Sequence, residues 1–361
     1  MASGRNSCKA ILSKLKKNAS QNWKKSKDWN LLLAIHITTK KGTMMDRRQF
    51  AKTALAAAAT ATFAKGAFAA ADPKSIASST APYKCKFSPN LGHCKASTQG
   101  LSEVDKIKFF YDCGFRGLED NGMPNRKVEI QEAMAKQMSK LGMEMGVFVA
   151  HAEWKNASMT GNRLDLSKRV VDKKACRAYW KEKMEKAVEV GKRVNAKWCT
   201  VVPGLEDPMV EPEYQFANVV EHLKWCAEIV EKAGLIIVLE PLNIKNHPSL
   251  WLKRIPQAYA LCKAVGSPNV KILDDLYHQQ ITEGNLIMNI DAAWDEIAYF
   301  QLGDVPGRKE PLTGEINFKN VFQHIWNKGY RGIIGMEHGQ SDRTAAGDKK
   351  LLDAYRAVDV A

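Results

Sequence analysis

The sequence predicts an α/β protein of the (β/α)8 TIM barrel class. Three observations carry that expectation. Eight short apolar runs alternate with eight amphipathic ones between residues 83 and 361, and alternation of this kind means parallel strands joined by crossover helices. Five of the amphipathic runs stop at a glycine (Gly114, Gly142, Gly234, Gly266, Gly329) set one to three residues before the next apolar run. Glycine there takes the left-handed conformation that ends a helix without a Cβ clash. No Gly-x-Gly-x-x-Gly follows the first apolar run, so an open dinucleotide-binding sheet lacks its fingerprint.

In order, the strands are expected at 83–88, 116–119, 143–150, 198–202, 236–240, 270–275, 297–302 and 333–337. The helices are expected at 101–113, 128–141, 172–194, 213–233, 255–265, 286–294, 318–328 and 345–357. The strand runs are short and rich in Val, Ile and Leu, as strands buried on both faces require. The joint Gly114-Phe115-Arg116-Gly117 recurs as Gly329-Tyr330-Arg331-Gly332, each leading to a glutamate.

The chain of 361 residues has a formal charge of +15, unevenly placed. Residues 1–71 hold fourteen Lys or Arg and two Asp, a net of +12, which leaves +3 for the body. A near-neutral body argues against a nucleic-acid partner. Residues 45–71 read as an export signal. Arg47-Arg48 stands in a segment that resembles the twin-arginine motif, an uncharged alanine-rich run of 12 residues follows at 53–64, and Ala67-Phe68-Ala69 fits a small-x-small cleavage site. That run is too short to span a bilayer, so periplasmic delivery without a lasting membrane anchor is expected. Residues 1–44 precede a second start at Met44 or Met45 and are expected to be a basic extension, non-native or disordered. Residues 72–82 read as a linker, and 83–361 as the barrel domain. Seven of the eight cysteines follow the signal, with no Cys-x-x-Cys and no zinc spacing. Cys85 and Cys94 are the nearest pair, and their pairing stays open.

Four strands end on a polar group. Ile236-Ile237-Val238-Leu239 runs into Glu240, Lys271-Ile272-Leu273-Asp274 into Asp275, and Ile333-Ile334-Gly335-Met336 into Glu337; the seventh strand carries Gln301. Strands five to eight are neighbours in a barrel, and their C-terminal ends form the face that displays chemistry. Three carboxylates converging there repel one another unless a cation holds them. Oxygen donors alone favour Mg²⁺ or Mn²⁺, with Co²⁺ admissible. The competing arrangement gives each carboxylate its own Lys or Arg.

These residues carry a resemblance. Val238-Leu239-Glu240-Pro241-Leu242, Leu273-Asp274-Asp275-Leu276-Tyr277-His278, Phe300-Gln301-Leu302 leading to Val305-Pro306-Gly307-Arg308, and Ile334-Gly335-Met336-Glu337 make the chain similar to the xylose-isomerase-like TIM-barrel superfamily, and most similar to its hydroxypyruvate isomerases. The resemblance implies a divalent metal ion held by Glu240, Asp275, Gln301 and Glu337, with Glu240 and Glu337 as the two proton-transfer carboxylates. It implies His278 and Arg308 as substrate-binding groups, and Gln301 rather than His resembles the hydroxypyruvate isomerase branch. Lys309 departs from the His that relatives tend to carry. Glu119, at the end of the second strand, is expected either to face the substrate or to form a salt bridge across the barrel. His151 and His247, on loops at the same end, are expected to line the site, as are Trp154 and Trp251 if they are not simply packed.

The function implied is an aldose–ketose type isomerisation, an intramolecular oxidoreductase reaction through an enediolate, with hydroxypyruvate or a related small carbohydrate as substrate. The alternatives are a sugar or keto-sugar 3-epimerase, a metal-dependent endonuclease of the same superfamily, and an exported carbohydrate-binding barrel without catalysis. The long loops after strands three and five are candidates for a lid or for a homo-oligomer contact.

Overall fold

The computed structural model describes residues 72–360. The expected extension, export signal and cleavage site lie outside the described residues. Residues 72–82, read as a linker, include one short helical turn, Pro73–Ile76, capped by the side chain of Asp72.

Nine strands follow: β1 (Lys86–Ser88), β2 (Gly117–Leu118), β3 (Glu144–Met145), β4 (Phe148–Ala152), β5 (Trp198–Val202), β6 (Ile236–Leu239), β7 (Val270–Asp275), β8 (Ile297–Leu302) and β9 (Ile333–Met336). All pairings between them are parallel. Seven form one sheet in the order β1-β9-β8-β7-β6-β5-β4, and β2 pairs with β3. The amide of Glu119 donates to Pro89 O at 3.0 Å and that of Val149 to Asn121 O at 3.3 Å, linking the second stave to the first and third. The eight predicted staves are therefore all present. The third differs from expectation in being split: β3 pairs back to β2 and β4 pairs forward to β5, with Gly146-Val147 between them. A Cβ on Gly146 would lie 2.5 Å from the Tyr299 hydroxyl, so the turn needs a residue without one.

The helices match their expected places to within a few residues, and the five stop glycines all have positive φ, from 66° to 102°. One helix was not anticipated, Leu276–Thr282, which starts directly on Asp275. Its apolar residues are too few for a 3.6-residue period to stand out beside β7. Among the described residues no helix is long and apolar enough to cross a membrane.

Side chains alternate along each strand, and this organises the barrel interior. Val147, Trp198, Val238, Leu273, Tyr299 and Ile333 pack together as one apolar layer. Two residues further along the same strands come Glu240, Asp275, Gln301 and Gly335. The apolar layer is thus a floor, and the polar strand ends stand on it. The seam between the first and last staves closes on aromatic rings: Tyr83 and Phe115 at 4.7 Å, Phe87 and Tyr355 at 4.9 Å, Phe87 and Phe322 at 5.2 Å. Beside it the Asp359 carboxylate accepts from the amides of Lys84 and Cys85. The seven cysteines of the described residues are all buried and unpaired, Cys85 and Cys94 included.

Candidate metal and proton-transfer centre

Strand register brings the polar ends together. Asp275 pairs with Gln301, and Gln301 with Gly335. Glu240 and Glu337 each follow directly on the last residue of their strands. Gly335 has no side chain, and the space is filled by its neighbours: a Cβ there would lie 1.8 Å from Glu119 Oε2 and 3.0 Å from Gln301 Cγ.

One cation meets this group directly. Arg308 Nη2 donates to Asp275 Oδ2 at 2.8 Å and to Glu337 Oε2 at 3.1 Å, and its Nε donates to Glu337 O at 3.0 Å. Its guanidinium also lies over the Tyr277 ring, 4.8 Å from the centroid. Asp304 shapes the loop that presents it. The carboxylate of Asp304, 1 % exposed, accepts from the amides of Val305, Thr313, Gly314 and Ile316. Arg308 itself sits at φ 49°. The arrangement with a separate basic partner for each carboxylate is not what forms, because Asp275 and Glu337 share one arginine and Glu240 accepts no hydrogen bond.

The electrostatics follow from crowding and burial. Burial, then Glu337 and Asp275, hold the Glu240 carboxyl well above the usual range. Burial pushes Glu337 up to about 7, against the pull of Arg308. Asp275 is raised by burial, with Arg308 opposing. Glu119 is raised by burial and by Glu337. Three buried carboxyl groups, the partly exposed Glu337 and one guanidinium leave an excess of negative charge that a divalent cation would relieve.

Gln301 bears on what that cation would touch. Its Nε2 donates to Glu119 Oε1 at 2.9 Å, while its Oε1 is buried without a partner. Buried acceptors are seldom left unmatched. Three carboxylates and a free amide oxygen are the donor set of a hard divalent ion, and the residues fit one. Glu240, Asp275 and His278 also offer ligand atoms all within 4.8 Å of one another.

The remaining expected residues divide. His278 lies in the cluster, its Nε2 3.6 Å from Asp275 Oδ2 and 3.8 Å from Glu240 Oε1. The His247 ring lies tilted beside it at 5.4 Å, and Trp154, half exposed, stacks on His247 at 5.2 Å. Trp251 is buried against Phe216 instead. His151 turns away to the helix Lys173–Val194, where its Nε2 meets Tyr179 Oη at 2.7 Å and its ring packs on Trp180; a helix-side hydrogen bond on offer outweighed a place at the mouth. Glu119 forms no salt bridge, for its carboxylate is taken up by Tyr299 and Gln301. It does border a cavity of about 450 Å³ that also meets Asn90, Asn121, Arg126, Arg308 and Glu337.

Sequence reasoning missed Asn121, whose amide donates to Glu337 Oε1 at 2.8 Å. It also missed Asn243, Asp304 and Tyr299. Asn121 lies in the turn just beyond β2, two residues after Glu119, where no local pattern marks it. Nothing local distinguishes Asn243 or Asp304 from ordinary loop residues.

An eight-stave parallel barrel with oxygen side chains on its last four strand ends defines a class of metal-ready α/β barrels. Comparison with known proteins agrees. Residues 107–357 match the family model described as Xylose isomerase-like TIM barrel, and the chain belongs to that family. It is 33% identical over 170 residues to the hydroxypyruvate isomerase of Escherichia coli K12, covering 47% of this chain and 66% of that one. It is 25% identical over 268 residues to the 2-oxo-tetronate isomerase of Pectobacterium atrosepticum, covering 73% and 95%. The chain spans half to two thirds of the length of the relatives it matches at about one-third identity. Among solved structures, the 3-keto-D-glucoside 4-epimerase YcjR of E. coli aligns with a TM-score of 0.59 at 17% identity, over 76% of this chain and all of that one, which speaks to the fold alone.

Proposed function

We propose that the protein is a metal-dependent isomerase that interconverts hydroxypyruvate and tartronate semialdehyde, or acts on a closely related small hydroxy-keto acid. The observation that carries this reading is the unpartnered Oε1 of Gln301 beside Glu240, Asp275 and Glu337, with Arg308 as their single direct cation. The relatives named hydroxypyruvate isomerase and 2-oxo-tetronate isomerase support it.

A divalent ion held by Glu240, Asp275, Gln301 and Glu337 would polarise a ketone and its neighbouring hydroxyl, and so acidify the C–H of the hydroxymethyl carbon. The residues of this chain do the rest. One of Glu240 and Glu337 takes the proton from the hydroxymethyl carbon, and the substrate becomes an enediolate. A proton then returns to the former carbonyl carbon, and the hydroxyl proton moves from one oxygen to the other. No external oxidant or reductant enters. Burial and the crowding of carboxyls raise both groups in the ion-free protein, and with a cation bound they would stay ionised, the form that acts as a base. Arg308 offers a planar fork to the substrate carboxylate, and its tie to Asp275 and Glu337 keeps it at the reacting end. The floor of Val238, Leu273 and Tyr299 closes the site from below.

The test is incubation of the protein with Mn²⁺ and hydroxypyruvate in D₂O. Tartronate semialdehyde formation with deuterium wash-in is expected. Absence of both, across hydroxypyruvate and a panel of ketoses, would overturn the reading, and inversion at a sugar carbon without isomerisation would replace it with epimerisation. Export by a twin-arginine type signal is proposed from residues 45–71 alone; N-terminal sequencing of the secreted protein should find a start just after Ala69.

A further inference from the structure

We propose that Glu119 is the positioning residue that aims the carbonyl oxygen of Gln301 into the ion site, and that Tyr299 sets the polarity of the contact. The inference rests on the metal reading above and adds a residue that touches neither ion nor substrate in it.

The hydrogen bonds form a directed chain. The amide of Val147 donates to Tyr299 Oη at 3.2 Å. A backbone N–H can only donate, so the Tyr299 hydroxyl proton is left for another acceptor. It goes to Glu119 Oε2 at 2.9 Å. The other carboxylate oxygen, Oε1, accepts from Gln301 Nε2 at 2.9 Å. With one oxygen accepting from Tyr299 and the other from Gln301, Glu119 holds the NH₂ end of Gln301 toward itself. The Oε1 of Gln301 must then face the opposite way, and it is the buried atom without a partner. Without Glu119 the two ends of the amide would be nearly equivalent in shape, and that carboxylate would no longer keep the N–H groups turned from the ion site.

The fold makes room for this chain and for little else. Glu119 is 1 % exposed and reaches over β9 at Gly335, where a Cβ would fall 1.8 Å from its Oε2. Tyr299 stands in the apolar floor, fully buried and two residues before Gln301 on β8. Outer groups of this kind hold ligands in the productive orientation, and losing one weakens metal binding by about 10–100-fold.

The polarity can be reversed by paired substitution at Glu119 and Gln301. In Glu119→Gln, the Tyr299 hydroxyl still donates and takes the new carbonyl, which leaves the new NH₂ facing Gln301. Gln301 must turn its own oxygen to meet it, and its NH₂ swings to the ion. Adding Gln301→Glu restores an acceptor toward residue 119 and an oxygen toward the ion at unchanged net charge. The experiment is Mn²⁺ affinity of the full chain by competition with a chromophoric chelator, with the Tm of the metal-free proteins alongside. Glu119→Gln should bind Mn²⁺ about 10–100-fold more weakly, and the double variant should return to within several-fold of the starting affinity. Unchanged affinity in Glu119→Gln, or a double variant no better than the single one, would overturn the assignment. An unmodified protein that does not bind Mn²⁺ at all would strike down the metal reading, and with it the role of Glu119.

Discussion

Asn243 donates twice to one nitrogen of His278: its backbone N–H reaches Nδ1 at 3.2 Å and its side-chain amide at 2.7 Å. The amide orientation is set independently, because Asn243 Oδ1 accepts from the amides of Lys245 and Asn246. Nδ1 is therefore an acceptor, and burial, helped by Arg308 and His247, pushes the imidazole down to about 2, so it stays neutral. The single proton sits on Nε2, which points between Asp275 and Glu240 and has no partner within the protein. A protonated nitrogen does not ligate an ion. His278 thus presents Nε2–H toward Asp275 and Glu240, and we propose that it serves a substrate oxygen, although its distances alone would admit it as a ligand.

Replacing His278 by Ala separates these two roles. The expected outcome is a loss of about 10–100-fold in kcat/KM, the cost of one buried hydrogen bond to substrate. Mn²⁺ affinity, read by chelator competition, should move by no more than about 3-fold. A collapse of metal binding would make His278 a ligand after all.

Glu240→Gln and Glu337→Gln should each lower turnover by at least about 10²-fold, the usual contribution of a positioned acid–base group. Neither should cost metal-free stability, since both carboxyls are already destabilised as anions by burial. Deuterium exchange into substrate and thermal melts check the two halves; turnover near the starting rate in either variant would remove that residue from proton transfer.

Arg308→Lys keeps the charge and loses the fork. The guanidinium reaches Asp275, Glu337 Oε2 and Glu337 O through two of its nitrogens, a geometry a single ammonium does not copy. Loss of charge-assisted bonds worth roughly 1.5–3 kcal/mol predicts about a 10–100-fold fall in kcat/KM. Steady-state kinetics on hydroxypyruvate would show it, and KM should carry most of the change.

Removing divalent ions with a chelator should silence the enzyme, and Mn²⁺ should restore it. Binding to the folded state alone should raise stability by about 2.7 kcal/mol at a free ion concentration 100 times Kd. Calorimetry with and without Mn²⁺ measures this. Full activity after exhaustive chelation would contradict the metal reading.

A pH effect is expected away from the site. His222 is buried, with Nε2 2.8 Å from Asn162 Oδ1, and burial pushes it down to about 4. Unfolded, it would titrate near 6.5. Below that pH the unfolded chain binds a proton the folded chain refuses, so this contribution to stability is whole above pH 6.5 and is lost as pH falls toward 4. The loss amounts to at most about 3 kcal/mol. His222→Gln keeps a donor for Asn162 and cannot be protonated. Melts at pH 7.5 and 5.0 should show a smaller drop for the variant than for the unmodified protein.

Much of this was legible in one dimension. Short apolar runs alternating with amphipathic ones, with a glycine stop at the end of five helices, are local signals, and the eight staves followed from them. The strand-end residues Glu240, Asp275, Gln301 and Glu337 were visible because a charged or amide group at the end of an apolar run has few structural uses. Position near a strand end says nothing about which way a side chain turns, and the contact of His151 with Tyr179, 28 residues later, was not visible in one dimension.

By itself, then, the sequence determined the strand count, the order of elements and the four polar ends, because each depends on residues within a turn or two of one another. Only the tertiary structure decided the rest. That Gln301 shows its oxygen rather than its NH₂, that His278 carries its proton on Nε2, and that Asp275 and Glu337 share Arg308 are matters of hydrogen-bond direction. Direction is set by partners far apart in sequence: Glu119 and Gln301 are separated by 182 residues, Asn243 and His278 by 35. Barrel closure is what brings those partners within 3 Å, and no local pattern encodes it.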